Sequence, residues 1–336
     1  MSSIRPARCC AYVGLEEMRQ YQAQVKAATE DEAKELVAPV IELSGSLAGA
    51  GTNGLTVTAG DSTIRGLAIN RFKGRGISVE ARGGNTVAGN FVGTDTTGML
   101  DRGNESAGIF VNSGGNTIGG PAAADRNLIS GNDRQGIYLI GGAAQNNRVL
   151  GNWIGTDALG TGAVPNNQYG VWVASANNRV GGPAAGEGNV ISGNRWGGVY
   201  VVGATAGGNL IQGNRIGTNE GGTAKLANDG SGVMIALAPN NTVGGSVAGA
   251  ANVLSGNAQQ GVYVLGATAT GNVIAGNRIG TNAAGTAAVG NSQNGVYLRG
   301  PSNRVGGTAT GILAIISRRT ESTDDLAVIC MIRLKK

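Results

Sequence analysis

The side chains of this chain that could do chemistry are few, and they are spread out. Eleven Asp and Glu residues are scattered over residues 51–310. General acid–base or glycosidic chemistry needs two carboxylates, or a carboxylate and a base, converging on one face. Four positions come nearest to that. Asp95 and Asp157 each follow a Gly-Thr pair, and Asp101 and Glu105 stand close together in Asp-Arg-Gly-Asn-Glu. The later counterparts of Asp95 and Asp157 are Asn219 and Asn282, and that exchange suits a turn-capping role that Asp and Asn share. The sequence holds no histidine at all, which removes a His base, a His metal ligand and a Ser-His pair. Asp-X-Asp ligand runs and the glycine-rich calcium nonapeptide are absent as well.

Rings offer a second kind of chemistry. Tetrapeptides of the form Gly-β-X-β, where β is a branched or aliphatic residue, begin at Gly136, Gly170, Gly198, Gly232, Gly261 and Gly295. In a strand the X residue points away from the branched pair. Read in order, with the same string at Gly108, X is Phe110, Tyr138, Trp172, Tyr200, Met234, Tyr263 and Tyr297. Such a row on a sheet face can stack on flat ligands such as sugar rings. It can also simply pack across strands. A second column, Phe91, Trp153, Arg215 and Arg278, could line an anionic ligand, though solvated strand-edge arginines are the commoner arrangement.

These residues are positioned by a repeat. Asn-X-Val/Ile-Gly-Gly begins at Asn116, Asn178, Asn241 and Asn303. Asn-X-Val/Ile-X-Gly-Asn-X-Val/Ile-Gly-Thr begins at Asn85, Asn147, Asn209 and Asn272. Asn-Leu/Val-Ile/Leu-Ser-Gly-Asn begins at Asn127, Asn189 and Asn252. All three strings recur every 62 or 63 residues. Gly, Asn and branched residues are poor helix formers but good turn and strand formers. The spacing of 20 between Asn127 and Asn147 suggests three turns of a coil per unit, each of about 21 residues. Glycine, at 61 of 336 residues, permits tight corners. Stacked asparagines at such corners can bond one another in ladders. This is a parallel β-solenoid of about twelve rungs, roughly 60 Å long at a ~4.8 Å strand spacing. Val199, Val201 and Ile191 point inward, and the segment from Asp157 to Pro165 bulges as a loop.

Asn189-Val-Ile-Ser-Gly-Asn194, Gly198-Val-Tyr-Val201 and Asn214-Arg-Ile-Gly-Thr-Asn219 resemble the right-handed parallel β-helix repeat proteins of bacteria, in the pectin-lyase-like superfamily. Ser62 to Asn70 resembles the start of such a domain. The resemblance implies an extracellular or cell-surface setting and, in the enzymes of the fold, attack on acidic polysaccharide. Its lyases use carboxylate-held calcium with an Arg or Lys base. Its hydrolases use clustered aspartates with a histidine nearby.

The net charge of +5 is spread thinly, which argues against nucleic acid as a partner. No apolar run is long enough to span a membrane, and the N-terminus lacks the apolar core of a signal peptide. The chain divides into 1–38, a leader or a cap helix over 15–37; 39–310, the β-helix; and 311–336, a cap strand at Leu326–Leu334 or a tail read out of frame. Threonines Thr94, Thr156, Thr218 and Thr281 recur only once per unit, too sparsely for an ice-binding ladder. The expectation is a non-catalytic extracellular or surface scaffold that contacts polysaccharide through Phe110, Tyr138, Trp172, Tyr200, Tyr263 and Tyr297, with no cofactor. The alternative is a polysaccharide lyase or hydrolase acting at Asp95, Asp101, Glu105 or Asp157, with calcium in the lyase case. The sequence leaves the oligomeric state open.

Overall fold

The computed structural model describes Pro39, residues 41–306 and Ile316–Ser317. The expected helix over 15–37 and the cap strand Leu326–Leu334 lie outside the described residues. The rest winds as a right-handed parallel β-helix with three sheets. Sheet A has ten strands, from Ile41–Ser44 to Ile316–Ser317. Sheet B has nine, from Leu55–Val57 to Val296–Arg299, and sheet C has nine, from Thr63–Arg65 to Arg304–Val305. Each strand pairs in parallel with its counterpart one rung along, so side chains of successive rungs lie in columns.

The period of 62 is two rungs, not three. Successive sheet B strands begin at Ile137, Val171, Val199, Val233, Val262 and Val296, in alternating steps near 34 and 28 residues. The described body therefore has nine three-stranded rungs rather than about twelve. The physical reason is that Asn127 and Asn147 open two different strands of the same rung, Leu128–Ile129 in sheet A and Arg148–Leu150 in sheet C. At the strand spacing of ~4.8 Å the coil is roughly 40 Å long.

Alternation fills the interior. Val199 and Val201 are fully buried, as are Ile191, Ile216, Val233 and Ile235, and they belong to one continuous core running the length of the coil. Each such side chain contributes about 1.5–3 kcal/mol of burial. The corners are sealed by asparagine. One ladder runs through Asn104, Asn132, Asn166, Asn194, Asn228, Asn257 and Asn291, ahead of sheet B. A second runs from Asn85 through Asn147 to Asn303 ahead of sheet C, and a third from Asn90 through Asn189 to Asn277 ahead of sheet A. In the third, Asn189 Nδ2 donates to Asn214 Oδ1 and to the carbonyl of Val149, both at 2.8 Å. Its own Oδ1 accepts from the backbone and side-chain nitrogens of Asn152, at 2.9 and 3.0 Å. Buried backbone groups that a corner would otherwise orphan are thereby satisfied.

Serine closes the next corner: Ser192 Oγ donates to the carbonyl of Thr218 and accepts from the amide of Gly217. Gly155 shows why glycine stands in the Gly-Thr pair. Its φ is +87°, and a Cβ there would overlap the carbonyl of Ser192 and the side chain of Asn194.

Every second rung carries a long loop after sheet A, such as residues 156–166, clipped by an antiparallel bridge between Thr156 and Ala163. These loops also bond to one another, Ala158 N to Gly98 O at 3.1 Å and Glu220 N to Gly160 O at 2.9 Å. They lie over the outer face of sheet A. There Ala68, Phe91, Leu128, Trp153 and Val190 form a second buried cluster with Ala158 packed on it. The threonines at the root of the loops, Thr94, Thr156, Thr218 and Thr281, are buried rather than displayed.

Candidate functional site

The three outer faces differ, and the difference singles out one. The outer face of sheet A is roofed. Its column continues through Arg215, Val253 and Arg278, in register with Phe91, Leu128, Trp153 and Val190. Gly98 lies against Phe91 and Leu128, Gly160 against Trp153 and Gly222 against Arg215. Arg126 lies 4.4 Å over the Trp153 ring and donates to the carbonyl of Gly151. The arginine–aromatic column, read either as a lining for an anionic ligand or as solvated strand-edge arginines, is therefore mostly covered by the protein's own loops. Sheet C shows polar side chains outward, including Thr86, Thr117, Arg148 and Arg179.

Sheet B is neither roofed nor polar. The outward column runs in unbroken register from Ser78 through Phe110, Tyr138, Trp172, Tyr200, Met234 and Tyr263 to Tyr297. Phe110 is buried, Tyr138 to Tyr263 are half-buried, and Tyr297 is 40% exposed. Beside it the fourth strand position adds Ile140, Ala174, Val202, Ala236 and Leu265. The rings touch. Phe110 meets Tyr138 edge-on at 5.8 Å, and Trp172 meets Tyr200 edge-on at 4.8 Å. Tyr263 and Tyr297 stack nearly parallel at 5.2 Å.

Two further rings come from the turns ahead of sheet B, and the strand pattern did not reveal them. Tyr169 stacks on Tyr200 at 4.6 Å, stands edge-on to Trp172 and Trp196, and donates its hydroxyl to Met234 Sδ. Trp196 is 48% exposed. Their signal was positional: Tyr169 immediately precedes the Gly170 string and Trp196 stands two residues before the Gly198 string. Burial, and then the neighbouring Tyr200, push the Tyr169 phenol up to about 12. Burial also raises Tyr138 and Tyr200. Trp172 Nε1 is buried among these rings and makes no hydrogen bond among the described residues. At one end of the column Arg75 lies 3.3 Å over Phe110 and is paired with Glu80 at 2.9 Å.

The four carboxylates weighed as catalysts do not gather on this face. Asp95 accepts from Thr97 Oγ1 and from the amides of Met99 and Leu100. Burial pushes its pKa up, but these hydrogen bonds outweigh it and hold the carboxyl below the ordinary range. Asp157 accepts from the amides of Leu159, Thr161 and Gly162, and Asn219 does the same for Thr223 and Ala224. Asp101 accepts from Gly103 N, and burial raises it despite that bond. Glu105 pairs with Lys73 at 3.1 Å on the surface.

Residues 111–298 match the NosD family, described as periplasmic copper-binding proteins. The chain belongs to the NosD family. Among solved structures it is similar to the A-module of the mannuronan C-5 epimerase AlgE6 of Azotobacter vinelandii, at 14% identity, a TM-score of 0.38 and coverage of 76% of each chain. No curated protein matches it. The copper in the NosD description can be set against the donors of this member. Copper takes thiolate, thioether and imidazole ligands. The chain has no histidine, and Cys9, Cys10 and Cys330 lie outside the described residues. Among the described residues sulfur is confined to Met99 and Met234, and no three of His, Cys, Asp and Glu converge. The described donor set does not fit copper. No described helix is long and apolar enough to cross a membrane.

Proposed function

We propose that this NosD-family chain is an extracytoplasmic, non-catalytic β-helix scaffold that holds a polysaccharide along the outer face of sheet B. One observation carries the reading. Among the described residues, only sheet B joins an in-register row of mostly half-buried rings to a face that no long loop roofs, the turns adding single side chains such as Arg75, Tyr169 and Trp196. Sugar rings present apolar C–H faces that pack on aromatic faces, and an exposed apolar strip on a stable protein marks a contact surface. The extracytoplasmic placement rests on the family description. The non-catalytic part is supported by Asp95 and Asp157, whose carboxylates are spent on loop amides.

The test is retention of the protein in native gels cast with polysaccharide. Tyr200→Ala combined with Tyr263→Ala is expected to run unretarded where the parent is held back. A variant with matching circular dichroism and unchanged retention would sink the carbohydrate role. The enzymatic alternative is tested separately, by ultraviolet absorbance of unsaturated uronides released from pectate or alginate, with and without calcium. Release by the parent would overturn the non-catalytic reading.

A further inference from the structure

We infer that the polymer held on sheet B is a neutral glycan; this rests on the carbohydrate reading above. The argument is the distribution of charge and amide groups around the rings. Over the three central rungs the outward strand residues are Trp172, Ala174, Tyr200, Val202, Met234 and Ala236, and none is charged. The charges near the column stand at its ends or are engaged. Arg75 is held by Glu80 and Ser78 at the Phe110 end. Arg134 stands exposed in the turn ahead of Tyr138, and Arg299 follows Tyr297 on the last strand, at the far end of the column. Arg195, beside Trp196, donates to Asn167.

A uronate laid on the central strands would bring its carboxylate against apolar rings with no cation on the strands to meet it, the nearest, Arg195, lying in the turn and directed to Asn167, and an unpaired charge is costly to desolvate. The leading edge of the column instead carries neutral amides, Gln168 in the first of these rungs and Gln135, Gln260 and Gln293 in the rungs beyond them on either side. Gln135 Nε2 donates to Gln168 Oε1 at 2.7 Å, and Ser231 Oγ donates to Gln260 Oε1 at 2.8 Å. Gln260 in turn donates to Gln293 Oε1. These bonds fix the amide planes, and the Nε2 groups of Gln168 and Gln293 donate to nothing among the described residues. An amide both donates and accepts, which matches hydroxyls rather than carboxylates. Rings with amides along the leading edge and no charge on the central strands are therefore built for an uncharged sugar chain.

The experiment is native affinity electrophoresis of the full chain in gels containing a neutral polymer, glucomannan or mixed-linkage β-glucan, or an acidic one, alginate or polygalacturonate, at low and high salt. The expected result is retardation by a neutral polymer, unchanged by salt. Trp196→Ala should weaken it by roughly tenfold, as expected for the loss of a ring contact. Gln168→Ala should weaken it less, with no effect on circular dichroism. Retardation by acidic polymers alone, abolished by salt and by Trp196→Ala, would overturn the neutral assignment and leave the sheet B face standing. No retardation by any of the four polymers would overturn the carbohydrate reading itself.

Discussion

The ladders set the shape of the coil, and Asn189→Asp isolates what one rung of a ladder contributes. The substitution keeps the shape of the side chain and changes only its hydrogen-bond polarity. The oxygen that accepts from Asn152 is retained. The Nδ2 group that donates at 2.8 Å to Val149 O and Asn214 Oδ1 becomes an oxygen facing two acceptors. The site is fully buried, so ionising it is costly. A fully buried carboxyl rises by about 3–5 pKa units, the two Asn152 donors keep this one to the lower part of that range, and each unit is ~1.36 kcal/mol. At neutral pH the variant is therefore expected to lose about 4–6 kcal/mol. Once protonated, the acid can donate to one of the two acceptors, and the loss falls to about 1–2 kcal/mol. The sign follows from the raised pKa. Stability is greatest below the ordinary carboxyl pKa and is lost as pH rises through the folded value.

Urea unfolding followed by tryptophan fluorescence suits this test, because Trp153 and Trp172 lie in the rung before Asn189 and Trp196 lies in its own. A coil of this kind loses structure rung by rung, so a local probe is needed. The control is Asn219→Asp. Its Oδ1 accepts from Thr223 and Ala224 amides as Asp157 does from its own loop, and a change within about 0.5 kcal/mol is expected. If Asn189→Asp stays within that margin of the parent at neutral pH, or if its deficit is equal at about pH 4.5 and pH 7.5, the ladder is not what closes this corner.

Tyr169→Phe should change the alkaline limb of stability. The folded phenol sits near 12, above its ordinary value of 10.0, through burial and Tyr200. Its contribution is complete below pH 10 and is lost as pH rises towards 12, so the urea midpoints of parent and variant should diverge over that window and not below it. Equal divergence at neutral pH would show that the hydroxyl's contact with Met234, not its protonation, is what was removed. Leu237 has φ +60° and is 48% exposed, at a position where the neighbouring rungs have Gly203 and Gly266. Left-handed backbone costs a non-glycine residue about 1–2 kcal/mol, and glycine returns about 0.5–1 kcal/mol as unfolded-state entropy. Leu237→Gly is therefore expected to raise the thermal midpoint slightly. A lower midpoint would mean that the Leu237 side chain holds more than its strain costs.

The sequence made the coil readable because its corners are chemical. An asparagine whose amide must meet another asparagine one rung away cannot drift, so three strings keep one period across the chain. The outward column was readable for the same reason: strand alternation alone places Tyr138, Trp172 and Tyr200 on one face. The number of rungs was not readable, because like strings open unlike sheets. Only pairing distinguishes Asn127, which leads into Leu128, from Asn147, which leads into Arg148. The covering of the Phe91–Trp153–Arg215 column was hidden too. It depends on loops that bond to loops two rungs away, through contacts such as Glu220 to Gly160.

That covering is also what distinguishes sheet A from sheet B. Both outward columns began as rows of apolar residues on a parallel sheet, and a row of that kind must be buried or put to use. On sheet A the long loops of alternate rungs bury it, and where rings give way to Arg215 and Arg278 the loops persist with Gly222 still in contact. On sheet B the following turns are short, and among the described residues Arg75, Tyr169 and Trp196 reach toward the column from the turns ahead of the strands, as single side chains rather than as a lid. The ladders hold the column at the strand spacing of ~4.8 Å whether or not anything is bound. A ligand that gains from such a row must itself repeat along its length, which is the property of a polymer and not of a small molecule.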